Sequence, residues 1–410
     1  VTVHVNDIRA AREALRGVIA ETPTLRDEAL SNELGVPIFL KAECLQRAGS
    51  FKIRGAYNKI HSLSPTERAK GVIAPSAGNH AQGVALAAQI HGIRAVIVMP
   101  RHAPLTKVEA TRGYGAEVVL HGETFDDAAA HAQTLALEHG LTPVHAFNDE
   151  RVIAGQGTIG LEILERIPNL TVIVVPIGGG GLIGGIATAI KALKPSVRVI
   201  GVQAAGCAPV QASLQAGHPV SVPAAQTIAD GIAVKRPGEI TLEIIKRLVS
   251  EVLTVTEDEI ARGIVHCGQR AKLVVEGAGA AGIAALIAGK VILEKSDVAA
   301  TVLCGGNIDG NLLSRVIEQV MVRQGRYILL KLAVIDRPGA LARVVDCLAE
   351  VGANIIDVFH RRAMWLAPLG KVGVELALEV RDEQHGLEVI KHLEKAGYHV
   401  EREGQGLWPE

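Results

Sequence analysis

Aromatic side chains are scarce in this chain: five Phe, four Tyr and two Trp in 410 residues, 3% of the total. Stacking platforms for the bases of a single strand are therefore poorly supplied. Neither sign of charge dominates, because 42 Lys and Arg face 43 Asp and Glu for a formal net charge of −1. That balance provides no basic surface for nucleic acid or an anionic membrane. The five cysteines, Cys44, Cys207, Cys267, Cys304 and Cys347, are odd in number and never in C-x-x-C spacing. Neither a zinc site nor a disulfide framework is indicated, and a reduced, cytoplasmic setting is expected. The first residues, "VTVHVNDIRAAREALRGV", read as a charged amphipathic helix and not as a signal segment. One uncharged stretch of twenty, residues 171–190, is interrupted by Pro176 and six glycines. It reads as strand, glycine turn and helix in place of a membrane span.

Small and branched aliphatic residues are abundant, with 44 glycines. Short apolar strands alternate with helical patterns: "GVIAPS" (71–76), then "NHAQGVALAAQIHG" (79–92); "RAVIVMP" (94–100), then "KVEATRGYG" (107–115). "AEVVLHG" (116–122) precedes "TFDDAAAHAQTLALEHG" (124–140), and "VRVIGVQ" (197–203) follows the glycine-led helix after "VIVVPI". This alternation predicts an α/β fold with parallel strands covered on both faces. The order then changes. After a polar stretch, "MVRQGR" (321–326), come strand 327–335, helix 339–352, strands 353–362 and 371–380, helix 384–397 and strand 398–403. That is β-α-β-β-α-β, the ferredoxin-like plan. A domain over 1–320, a linker over 321–326 and a second domain over 327–403 are expected.

Four stretches carry candidate chemistry. "GSFKIRGA" (49–56) sets Lys52 between Phe51 and Ile53. An exposed helical lysine is the plain reading, and an amine desolvated to become a nucleophile the functional one. "GGGG" (178–181), between a strand and a helix, would aim backbone amides at an anion, with any Cβ holding that anion off. The same segment contains G-x-G-x-x-G at 179, 181 and 184, but the acidic residue a dinucleotide site needs after the next strand is Gln203. "SAGNHAQG" (76–83) offers amides and the Asn79 side chain to a carboxylate; a simple helix cap is the alternative. "LCGGNIDGN" (303–311) places Cys304 at a strand end, as a cleft residue or a small buried one. A lysine, a phosphate cup, a carboxylate cup and a small polarizable group together match what pyridoxal phosphate and a bound amino acid require.

In this order the four motifs resemble the fold-type II pyridoxal-phosphate enzymes over residues 5–320. Within them the similarity is closest to threonine dehydratases (threonine ammonia-lyases), with serine dehydratases and serine racemases nearby. The resemblance implies a tryptophan-synthase-β-like catalytic part of two parallel α/β subdomains, the smaller spanning 47–150. It implies pyridoxal 5'-phosphate as cofactor, joined covalently to Lys52, with Phe51 against the ring and Asn79 at its phenolic oxygen. Gly178, Gly179, Gly180, Gly181 and Leu182 would hold the phosphate, and Cys304 would lie beside the pyridine nitrogen. Ser76, Ala77, Gly78, Asn79 and His80 would clamp the substrate carboxylate. The implied reaction takes L-threonine to 2-oxobutyrate and ammonia, and L-serine to pyruvate more weakly.

Residues 327–403, with "DRPGAL" (336–341), resemble an ACT domain, a regulatory module for amino acids. An effector at Asp336, Pro338, Gly339, Ala340 and Leu341 is implied, together with a homo-oligomer, dimer or tetramer. Where racemases carry a serine as second acid–base group, this chain has Ala77. At Gln203, Cys207 and Pro209 it lacks the acidic pair of divalent-metal-binding relatives, so no obligatory divalent metal is expected. Glu276, in "VVEGAGAAG", matches a family glutamate near the substrate end; a helix-start carboxylate is its plainer reading. Other readings stand beside the lyase: a serine dehydratase or racemase-like enzyme, a β-replacement enzyme, and a non-catalytic amino-acid sensor.

Overall fold

The computed structural model describes residues 3–223, 226–361 and 369–403. It divides into two compact units, residues 1–309 and 310–410.

The first unit contains two sheets. The smaller has four parallel strands in the order Glu117–Leu120, Ala95–Met99, Val72–Pro75, Thr142–Pro143. The larger runs Thr24–Arg26, Ile38–Lys41, Ala299–Val302, Val172–Pro176, Arg198–Ala204, Glu251–Val255. Its pairings are parallel except for the antiparallel edge strand Thr24–Arg26. The central strands Ala95–Met99 and Val172–Pro176 are buried along their whole length, as sheets covered on both faces require.

Helix ends follow local chemistry. Thr124 caps helix Phe125–His139 by accepting from Asp127, whose carboxylate reaches back in a capping box. Gly140, at φ +64, closes it. The uncharged run 171–190 is the strand Val172–Pro176 followed by the start of helix Gly181–Leu193. Among the described residues no helix is long and apolar enough to cross a membrane.

The second unit is a four-stranded antiparallel sheet in the order Asn354–Arg361, Lys371–Glu379, Tyr327–Ile335, Val400–Glu403. Ile328, Leu330, Leu332 and Val334 alternate inward beneath helices Ala340–Glu350 and Glu383–Lys395. Arg362, expected at the end of a strand, lies outside the described residues, as do Val1 and Thr2, expected in a first helix that is observed over Val5–Leu15.

The expected linker differs from what is observed. Helix Gly310–Arg323 belongs to the second unit and runs through residues 321–323, with Gly325 turning the chain at φ +67. Val316, Val320 and Met321 recur at helical spacing and are buried. The polar appearance of 321–326 comes from the outer side of that last turn.

Candidate active site

The Lys52 segment is tied to the strand end bearing Cys304. Ser50 and Gly305 form an antiparallel bridge. Gly306 N–H donates to Gly49 O at 2.9 Å, and Phe51 N–H donates to Cys304 O at 3.2 Å. Both Lys52 and Cys304 consequently line a cavity of about 890 Å³ in the first unit. Lys52 opens helix Lys52–His61, which packs closely on its neighbours. A Cβ at Gly83 would lie 3.0 Å from the Lys52 carbonyl carbon, and one at Gly155 would lie 2.5 Å from Arg54 O. The Lys52 ammonium donates to Ala146 O at 3.2 Å and sits 5.1 Å from the Phe51 ring centroid. Burial pulls its pKa from the usual 10.5 down to about 8, against the opposing pull of Cys304 and Glu276. The exposed-lysine reading falls, since this amine is half-buried and lines the cavity.

Asn79 is the first residue of helix Asn79–His91. Its Nδ2 donates to Glu276 Oε1 at 2.6 Å, and its Oδ1 accepts from Asn307 Nδ2 at 2.8 Å. Ser76 Oγ accepts from the amides of Gly78 and Ala81, both at 3.2 Å, and so shapes the turn ahead of the helix. The amides of Asn79 and His80 precede the first bonded amide, Ala81 to Gly78 O, and are left for an anion. The His80 ring is committed elsewhere: its Nε2 bonds Val144 O at 2.8 Å, and burial, with Lys52 nearby, lowers its pKa to about 3. It stays neutral and contributes backbone only.

Glu276, at the N-cap of helix Gly277–Ile287, is buried. Desolvation, then repulsion from Asp230, lifts its pKa from 4.5 to about 7, against the Asn79 hydrogen bond. A carboxyl whose folded pKa is raised contributes stability in full below its unfolded value, and loses it as pH climbs through the folded one. In the cofactor-free protein, stability should fall between about pH 5 and about pH 7, and Glu276→Gln should flatten that slope in urea titrations.

The glycine loop is also closely packed against the protein. A Cβ at Gly179 would sit 2.3 Å from the Phe147 ring, and one at Gly181 2.9 Å from Phe147 Cβ. Gly180 (φ +94) would meet Thr241 at 2.8 Å, and Gly178 would meet Ile232 at 3.1 Å. Packing against protein by itself leaves no room for side chains at Gly179, Gly180 and Gly181, and little at Gly178, whatever the loop binds. Gly184 N–H is the first to bond back, to Gly180 O, so the amides of Gly181, Leu182 and Ile183 open the helix unpaired within it, the arrangement an anion would need.

Cys304 is buried, and desolvation followed by Glu276 holds its thiol well above the ordinary range, hence neutral. Gln203, the residue that weakened the dinucleotide reading, is buried and accepts from Gln211 N–H at 3.1 Å. Sequence reasoning passed over several lining groups. Phe147 packs the glycine loop, and Lys107 pairs with Asp230 at the cavity wall. His145 Nδ1 accepts from the amides of Phe147 and Asn148, which leaves its proton on Nε2. Asn307 lay inside the quoted "CGGNID", yet nothing local marks it as a partner of Asn79.

A family model described as "Pyridoxal-phosphate dependent enzyme" matches residues 15–305. The chain belongs to this family. It is similar to L-threonine ammonia-lyase of Thermotoga maritima, 49% identical over 402 residues, 97% of this chain and 99% of that one. Among solved structures it resembles the processed form of threonine deaminase isoform 2 from Solanum lycopersicum, at TM-score 0.74 and 39% identity. That match covers 78% of this chain and 87% of the tomato one. Maize serine racemase also gives TM-score 0.74, at 34% identity, covering 79% of this chain and 99% of that one. The residues present fit pyridoxal phosphate on their own chemistry. The pyridoxal-phosphate enzyme has an amine of lowered pKa in the cavity, a helix start with unpaired amides beside it, and a neutral thiol on the same wall.

Proposed function

We propose that this enzyme dehydrates and deaminates L-threonine to 2-oxobutyrate and ammonia, and L-serine to pyruvate more slowly. The observation that carries the reading is Lys52, whose amine faces the cavity with its pKa lowered to about 8 and with neutral Cys304 on the same wall. Lys52 would hold the cofactor covalently, with Phe51 against it and Asn79 donating to its phenolic oxygen. The amides of Gly178 to Leu182 would take its phosphate, and Cys304 would face its ring nitrogen as a neutral partner. Pyridoxal phosphate, when bound, supplies the electron sink that lets the Cα–H bond break.

The chain's own residues supply the rest. Amides of the Ser76–His80 turn receive the substrate carboxylate at a helix start, where an anion is favoured. The Lys52 amine, when free, would take the Cα proton, a role its depressed pKa suits. The β-hydroxyl leaves as water, and a water returns in the hydrolysis that frees ammonia. Ala77 offers no proton to the opposite face, which disfavours racemisation. A hydrophobic pocket separates threonine from serine by one methyl, worth about 1–3 kcal/mol, so both are substrates.

Purified protein with pyridoxal phosphate should develop a visible absorption band, change it on addition of L-threonine, and accumulate 2-oxobutyrate. A colourless protein that binds amino acids without forming the oxo acid would leave the sensor reading in its place.

The C-terminal unit is read as an ACT domain taking an amino-acid effector at Asp336, Pro338, Gly339, Ala340 and Leu341, within a homodimer or homotetramer. Supporting this, the loop ends at Gly339, φ +82, directly before helix Ala340–Glu350, a start suited to a carboxylate. A chain cut after Asp309 should keep threonine turnover and lose its response to isoleucine and valine. An unchanged response would place the effector elsewhere.

A further inference from the structure

Behind Asn79 runs a polar chain whose direction starts from a group that can only accept. Ala48, at φ +58 and followed by Gly49 at φ +68, forms a left-handed turn. A non-glycine residue in that region is uncommon and marks a constrained site. The Ala48 carbonyl oxygen takes one N–H of Asn307 at 2.9 Å. This orients the Asn307 amide, because its own carbonyl could not bond there. The second N–H of the same nitrogen therefore goes to Asn79 Oδ1, at 2.8 Å.

Asn79 in turn has its oxygen engaged and its nitrogen directed away from Asn307. One of its two hydrogens goes to Glu276 Oε1 at 2.6 Å. The other is available to a ligand in the cavity that Asn79 lines. Two glycines keep room for this arrangement. A Cβ on Gly49 would lie 2.2 Å from Asn307 Oδ1. One on Gly305 would lie 2.3 Å from Glu276 Oε1 and 3.0 Å from Asn79 Nδ2.

We propose that Asn307 is a positioning residue: anchored on the Ala48 carbonyl, it holds the Asn79 amide with its nitrogen toward the cavity, so that Asn79 donates to the cofactor's phenolic oxygen. The reverse orientation would set a carbonyl oxygen against an oxygen that needs a donor. The inference rests on the role proposed above for Asn79, and the test separates the two.

Asn307→Asp removes both N–H groups and puts an acceptor where Asn79 Oδ1 now finds a donor, which drives the Asn79 amide to turn against the remaining hold of Glu276 Oε1. In the full-length protein loaded with pyridoxal phosphate, the visible band should change in position or in its balance with the near-ultraviolet band. Affinity for pyridoxal phosphate should fall about tenfold or more, as for loss of a hydrogen bond to a charged group. Because Asn307 acts through Asn79, Asn307→Asp should add about twofold or less in an Asn79→Ala background. Asn307→Ser exchanges two N–H donors for a single, shorter hydroxyl that cannot serve both Ala48 O and Asn79 Oδ1; it should show a smaller change with the same non-additivity, and it carries the comparison if the aspartate variant does not fold. A wild-type spectrum and affinity in Asn307→Asp, or full additivity with Asn79→Ala, would overturn the proposal. A wild-type protein that forms no band with pyridoxal phosphate would instead overturn the cofactor reading of the site.

Discussion

Lys52→Ala should reduce threonine turnover by about ten-thousandfold or more, since in the proposed reaction one amine serves as both covalent attachment and base. The loss should arise without unfolding. Lys52 contributes one hydrogen bond, to Ala146 O at 3.2 Å, and a contact over Phe51, while the amine itself is held in an environment that disfavours its charge. Removing a desolvated ammonium from such a place leaves folding stability unchanged or slightly raised. Alanine is also the best helix former for the first turn of Lys52–His61. The variant should bind pyridoxal phosphate that dialysis removes and borohydride no longer fixes. Lys52→Arg is the stricter control. It retains charge and length, but a guanidinium that does not deprotonate cannot attack or abstract a proton, so it should be equally inactive. Retention of a tenth of wild-type turnover by either variant would assign the base to another residue.

Arg54→Leu should have the largest effect on stability, a loss of about 3–5 kcal/mol in urea unfolding, because it leaves buried carboxylates uncompensated. Arg54 follows Lys52 by two residues on the same helix and is fully buried, as is Glu43. Its Nε and Nη2 donate to the two Glu43 oxygens, each at 2.8 Å. Nη1 reaches Thr158 Oγ1 at 3.0 Å, and both Nη atoms engage Glu162. Lys41 completes the cluster, 2.7 Å from Glu162 and bonded to Thr22 O. Two cations thus balance two anions, and loss of either side leaves a net buried charge. The neighbouring carboxylates drive the arginine pKa further up, so deprotonation offers no relief. Arg54→Lys should restore little, because an ammonium cannot present the fork that holds two carboxylates at once. By comparison Arg12→Ala, whose partner Glu165 is about half exposed, should cost about 1 kcal/mol or less. Similar losses for Arg54→Leu and Arg12→Ala would refute the assignment of the buried cluster.

Much of the first unit was legible because its signals are local. Alternating strands and helices, Thr124 ahead of Asp127, Gly92 and Gly140 at helix ends, and glycines between a strand and a helix depend on neighbours a few residues away. The sequence by itself determined the strand–turn–helix junctions that carry Asn79, the glycine loop and Cys304, and it singled out Lys52 between two apolar side chains. Only the tertiary structure decided the partners. Asn79 meets Glu276 and Asn307 across 197 and 228 positions, pairings that depend on which strand ends the sheets bring side by side. Phe147 by itself leaves no room for side chains at Gly179 and Gly181. Arg54, unassigned in its motif, anchors a four-charge cluster drawn from four separate elements or loops. The amphipathic helix after Asp309 looked polar at its end only because its buried side was unknown. Local chemistry selects a conformation within a few residues, whereas a hydrogen-bond partner or a depressed pKa is a property of the space that distant segments enclose together.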